Sequence, residues 1–135
     1  MRLLTLRVSL FGVIAMAITG AADSRTDAQA ILQLLLNAPQ LTQYYHFDER
    51  PERTPLKVVN LTSLDIGDPD LTAAGRHARL STERDKQAIE ITAFTITHDA
   101  AEIAFTFRAE GVVGKGTFNK VQGNWSLSKL NVAER

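Results

Sequence analysis

In the run Ala101–Glu110, Ala101, Ile103, Phe105, Phe107 and Ala109 occupy every second position, with Glu102, Thr106, Arg108 and Glu110 among the residues between them. A strand sends successive side chains to opposite faces, so this spacing demands a sheet with one buried side. The register is constrained as well, because a slip of one residue would turn both phenylalanines to water. Three neighbouring runs, Ala88–Thr97, Val112–Val121 and Trp125–Val132, are also rich in β-branched and aromatic residues. None of the four contains proline, and short polar connections at His98-Asp99, Glu110-Gly111 and Gln122-Gly123-Asn124 join them. The pattern predicts an antiparallel meander.

Two of the runs change phase midway. Ile89 and Ile91 match one face and Phe94 and Ile96 the other, while Trp125 and Leu127 give way to Leu130 and Val132. Each change predicts a β-bulge or a strong bend, which lets a sheet curl around a helix. Gly114 and Gly116 share a face with Val112 and Phe118 and leave room for close packing. Trp125 is expected in the core, where burial of its ring would stabilise by several kcal/mol, on the order of 25 cal/mol per Å² removed from water.

The helix that fills such a sheet is predicted over Thr26–Ala38. Thr26-Asp27-Ala28-Gln29 has the form of a capping box, and Asp27 in a first turn would complement the helix dipole. Leu34, Leu35 and Leu36 in succession imply cover on more than one side, and Pro39 ends the segment. A short helical turn is expected over Pro39–Tyr44. Residues 44–75 hold Pro51, Pro55 and Pro69. A strand is predicted over Leu56–Ile66, a turn at Gly67-Asp68-Pro69-Asp70, a turn or short helix at Leu71–Ala74, and a strand around His77–Thr82.

The N-terminus bears on location. Arg2 and Arg7 precede the apolar run Val8–Ile18, and small residues at Thr19, Gly20, Ala21 and Ala22 lead to the polar Asp23-Ser24-Arg25. That is the layout of a secretory signal peptide over residues 1–22, followed by a single α+β domain over residues 23–135. The run is shorter than the roughly 20 apolar residues of a membrane span. Retention of the leader as an anchor is the alternative. A periplasmic or secreted protein with no membrane contact after leader removal is expected. Loss of Arg2 and Arg7 from 15 basic residues leaves 13 against 15 acidic, a net charge near −2. Nucleic acid calls for a basic excess and is not an expected partner. The chain has no cysteine, which excludes disulfides, thiol catalysis and thiolate metal sites. Asn60-Leu61-Thr62 and Asn124-Trp125-Ser126 are glycosylation triplets, meaningful only in a eukaryotic secretory pathway.

A helix followed by a long, bent antiparallel meander, whose last strand opens on Gly123-Asn124-Trp125, resembles the cystatin-like cone and, more loosely, the nuclear-transport-factor-2-like cone. The likeness covers Thr26–Ala38 and Ala88–Val132 and concerns architecture only. It implies an α+β fold with an N-terminal helix packed on a curved sheet. Cones of this kind can host acid–base enzymes in an apolar pocket.

The densest polar constellation runs from Tyr44 to Leu56. Tyr44, Tyr45, His46, Asp48, Arg50 and Arg53 are the candidate binding residues, since proline at both ends stiffens the segment and tyrosine with arginine is the pairing enriched in binding hot spots. The competing reading is a rigid surface crossover whose rings pack on the sheet edge. Tyr44, Tyr45, His46 and Asp48 also suit acid–base chemistry, with Asp65, His77 and Glu90 as possible contributors, but active sites gather their groups from separate elements. No catalytic residue, cofactor or metal is assigned: His46, His77 and His98 are isolated, and Gly111–Thr117 lacks the spacing of a phosphate loop. The leading expectation is a non-catalytic domain that binds another envelope protein, as an accessory, inhibitor or immunity-type factor. A small-molecule or acid–base pocket in the cone, and a membrane-anchored accessory subunit, are the alternatives. A homodimer through a sheet edge is compatible with either.

Overall fold

Both phase changes are bulges. In the computed structural model, which describes residues 20–135, β4 (Ile89–Ile96) pairs with β5 (Ala100–Phe107) in a register that shifts between Ile91 and Ala93. Thr92 is the extra residue, so Ile89, Ile91 and Phe94 all face the core. Likewise β6 (Val112–Val121) and β7 (Asn124–Glu134) pair with Phe118 opposite Leu127 but Thr117 opposite Lys129, leaving Ser128 as the bulge. Bulges bend a strand and strengthen its twist, and here they curl the sheet. The β6–β7 hairpin turns on Gln122 and Gly123, both at positive φ, as a two-residue primed turn requires.

The full sheet has seven strands in the order β2-β3-β1-β4-β5-β6-β7 and forms a strongly curled half-barrel against helix α1 (Gly20–Leu36), an α+β architecture. β1 (Leu56–Asn60), β2 (Leu71–Ala73) and β3 (Arg76–Leu80) extend the meander. β1 lies between β3 and β4 and runs parallel to both, so the sheet is mixed. The one-turn helix α2 (Pro39–Thr42) follows α1 where a short helical turn was expected.

Four expectations need correction. The strand predicted over Leu56–Ile66 ends at Asn60, whose side chain donates to the Leu64 carbonyl and accepts from the Thr62 N–H and hydroxyl, folding the chain into a loop. Leu71–Ala74 is neither turn nor helix at its start: Leu71–Ala73 is strand β2, and Ala74 and Gly75, at φ 51° and 77°, make a second primed turn. The capping box does not start a helix, because α1 runs through Thr26–Gln29. There Asp27 instead accepts from Lys120 Nζ at 3.1 Å and from Trp125 Nε1 at 2.9 Å. Trp125 is accordingly half-buried at the rim, clamped to α1, and not in the core. The leader reading concerns residues 1–22, which lie outside the described residues except for the backbone of the first turn of α1.

The concave face is filled. Ala28, Ile31, Leu32, Leu35 and Leu36 of α1 meet Ile89, Ile91, Ile103, Phe105, Phe107, Val112 and Phe118 in one buried cluster. Phe105 lies across Gly114, where a Cβ would stand 2.3 Å from the ring, so the glycine creates the space for the ring. α1 also protects a sheet edge. Gln33 exchanges two hydrogen bonds with the Thr72 backbone, at 2.7 and 3.0 Å, as a paired strand residue would. Asn37 accepts from the Ala74 N–H and donates to the Thr72 carbonyl, and Gln29 donates to the Ile66 carbonyl. Gln33 and Asn37 of this amide stripe, which has four-residue spacing, occupy the outer edge of β2, which would otherwise be an open template for pairing.

Candidate functional site

The crossover from Tyr44 to Pro55 passes over the end of the sheet and is held from behind by Arg53. The Arg53 side chain is buried, with 2 % of the residue exposed, and every nitrogen is engaged. Nη1 donates to the carbonyls of Tyr44 and Tyr45 at 3.2 and 2.8 Å, Nε to Gln87 Oε1 at 2.7 Å, and Nη2 to Glu110 Oε2 at 2.9 Å. Its guanidinium lies 5.0 Å from the centroid of the Phe107 ring. The other oxygen of Glu110 is 3.1 Å from His46 Nε2. A fully satisfied guanidinium of this kind gives the crossover one conformation.

Tyr45 is buried too. Its hydroxyl donates to the Leu36 carbonyl at 2.7 Å, closing the C-terminus of α1, and its ring packs on Phe47 and Phe107. Burial pushes its phenol far above the ordinary value. Tyr45 and Arg53 therefore offer no surface to a partner in this conformation. Tyr44 is half-buried, and its hydroxyl donates to Glu134 Oε1 at 3.0 Å, which holds its phenol pKa above the usual value. His46, Asp48 and Arg50 are exposed. His46 has φ 50°, and its carbonyl accepts from the N–H groups of Glu49 and Arg50 in a tight turn. Asp48 pairs with Arg76 at 3.1 Å, and Arg50 stands 4.0 Å from Glu52. The outward set is thus His46, Asp48 and Arg50 with Glu49 and Glu52, on a segment fixed by the inward pair.

The remaining acid–base candidates do not converge on this segment. Asp65 is hydrogen-bonded to Arg25 of α1, which lowers its carboxyl pKa below the usual range, with help from the Gly67 N–H. His77 sits beside Asp70 at 3.6 Å. Glu90 lies on the convex face of the sheet. Among the described residues, no group of three His, Cys, Asp or Glu side chains could hold a metal ion. No described helix is long and apolar enough to cross a membrane.

Glu90 forms a second constellation, which the sequence did not single out. Between the inward-facing Ile89 and Ile91 its carboxylate points outward, yet the residue is only 2 % exposed, because Arg84 and Arg108 cover it. Arg84 Nε donates to Oε2 at 2.8 Å and Arg108 Nε to Oε1 at 3.0 Å. The Arg84 hydrogen bond first, then the charges of both arginines, hold the carboxyl below its ordinary pKa against the opposing effect of burial. A trace of this was legible: the β4–β5 register sets Glu90 opposite Thr106, which makes Arg108 its diagonal neighbour on the same face. Arg84 was not placeable, since it sits in a connection without periodicity.

The molecule is thus an α+β domain with a curled mixed sheet, a braced crossover at one end and a buried carboxylate under two arginines on its outer face. No family model matches the sequence, and no curated protein and no solved structure is significantly similar to it.

Proposed function

We propose that the protein is an exported, non-catalytic domain that binds another protein of the cell envelope, as an accessory, inhibitor or immunity-type factor. The observation that carries this reading is the crossover. Buried Arg53 and Tyr45 hold its backbone, and His46, Asp48 and Arg50 project from it, so little conformational entropy is lost when a partner docks. The filled concave face adds support. Where a cone-fold enzyme has its pocket, this chain has Phe105, Phe107 and Phe118 against the leucines of α1. The layout of residues 1–22 motivates the extracytoplasmic location.

The test uses residues 1–135, with residues 1–22 retained at the start of expression. N-terminal sequencing of the product recovered from the periplasm or medium is expected to begin near Asp23; recovery only from the cytosol would remove the export element. A captured partner should be lost or weakened at least about tenfold by the double substitution Asp48→Ala/Arg50→Ala, with an unchanged melting temperature. Arg79→Ala, on strand β3 outside the crossover, should leave capture unchanged. Equal capture by all three proteins would exclude the crossover as the contact surface.

A further inference from the structure

The geometry points to a binding site for a small organic oxyanion, a phosphate- or carboxylate-bearing molecule, in the groove on the convex face beside Glu90. The inference does not depend on the partner-binding reading. The groove measures about 430 Å³, and its lining includes Arg84, Glu90, Thr92, Thr106, Arg108 and Val113. That size suits a small ligand.

Three features make this more than a patch of surface charge. First, Glu90 is a buried carboxylate that divides itself between two guanidiniums, one oxygen to each, and engages both through Nε alone. Among the described residues the terminal nitrogens of Arg84 and Arg108 have no partner, and the two side chains are 61 % and 51 % exposed. Two guanidiniums are therefore anchored in place with their outer donors directed to solvent. Such paired forks match the oxygens of phosphate or carboxylate. Secondly, two arginines against one carboxylate leave a positive charge over the groove. Asp85 offsets part of it through the charge of Arg108, while Glu83 is held at Lys57, at 3.4 Å.

Thirdly, the sheet supplies further donors. Thr92 is the extra residue of the β4 bulge, and Thr106 faces the same groove from β5. Neither hydroxyl has a partner among the described residues, and bulges commonly re-aim a side chain beside a binding site. Val113 offers an apolar wall for the remainder of a ligand. The larger groove of about 620 Å³ on the other side of Arg84 holds Arg79 but has no buried charge to fix its donors.

The experiment follows the Arg84 and Arg108 Nε–Hε resonances of the isotopically labelled protein during titration with inorganic phosphate, with acetate, and with chloride at matched ionic strength. Saturable shifts at both arginines with phosphate or acetate, and none with chloride, are expected. The tighter of the two oxyanions identifies the head group. Arg84→Lys keeps the charge and removes the fork, and should weaken binding about tenfold. Thr92→Val should weaken it several-fold without affecting the fold. The triple substitution Arg84→Gln/Glu90→Gln/Arg108→Gln, which leaves no buried charge unpaired, should abolish saturation. Shifts that grow linearly and equally with all three anions would overturn the assignment. So would an Arg84→Lys variant that binds as tightly as the parent, since diffuse attraction would then suffice. Should the triple variant not fold, unchanged affinity of the Thr92→Val protein would refute the site by itself.

Discussion

Arg53 with Glu110 and Glu90 with its two arginines are inverse solutions to placing a carboxylate against a guanidinium. In the first the cation is buried and each of its nitrogens is engaged inside the protein, by two carbonyls, an amide and a carboxylate. In the second the anion is buried and the cations stand half in water with donors left over. A buried guanidinium with every nitrogen paired can only fix structure, and here it fixes the crossover. A buried carboxylate under exposed guanidiniums fixes the cations instead, which leaves them available to a third group. Ion-pair distance does not separate the two cases, since the contacts fall at 2.9 Å in one and 2.8 and 3.0 Å in the other. The direction in which the unused donors point does.

The contrast is open to direct test. Arg53→Leu should produce the largest effect. It removes one of the two partners of Glu110 and strands the carbonyls of Tyr44 and Tyr45, at a cost of about 3 kcal/mol in chemical denaturation. A loss within error of zero would mean that the crossover is not held from behind. Glu90→Gln should act chiefly through pH. The folded carboxyl titrates below its ordinary value of 4.5, so its contribution is fully present above that value and is lost as pH falls through the lower, folded value. Melting temperatures followed from neutral pH into the acid range should therefore fall less steeply for Glu90→Gln than for the parent, while the acid sensitivity from Asp65 and Asp85, whose pKa values are also lowered, persists. Parallel curves would show that the arginines do not stabilise the ionised form. The smallest effect is expected for Arg84→Ala, an exposed cation whose loss leaves Arg108 on Glu90 and lets water replace its hydrogen bond; its melting temperature at neutral pH should fall only slightly below the parent's. A large drop would move Arg84 from the binding class to the structural class and erase the distinction.

Legibility in the sequence followed the range of the interactions. The meander was readable because alternation, bulge phase changes and turn residues are local, and β4 to β7 pair in chain order. The β1–β3 unit was not, because β1 inserts between β3 and β4 in parallel, an arrangement no short-range pattern specifies. Residues 71–74 show the limit well. Leu71-Thr72-Ala73 is too short to display a period, and it becomes a strand through pairing with β3 on one side and the amides of Gln33 and Asn37 on the other. At the crossover the residue types were recognisable, but which of them faced inward was not. Tyr45 and Arg53 were sorted from His46, Asp48 and Arg50 by distant groups, the Leu36 carbonyl, Gln87 and Glu110.

By itself the sequence determined that this chain buries one face of a bent antiparallel sheet under a leucine-rich helix, because side-chain alternation and hydrophobic burial act on neighbouring residues. Only the tertiary structure decided which charges meet. Glu90, Arg84 and Arg108 come from different segments, and their common position on the convex face exists only once β4 and β5 are in register and the connection before β4 has folded back over them.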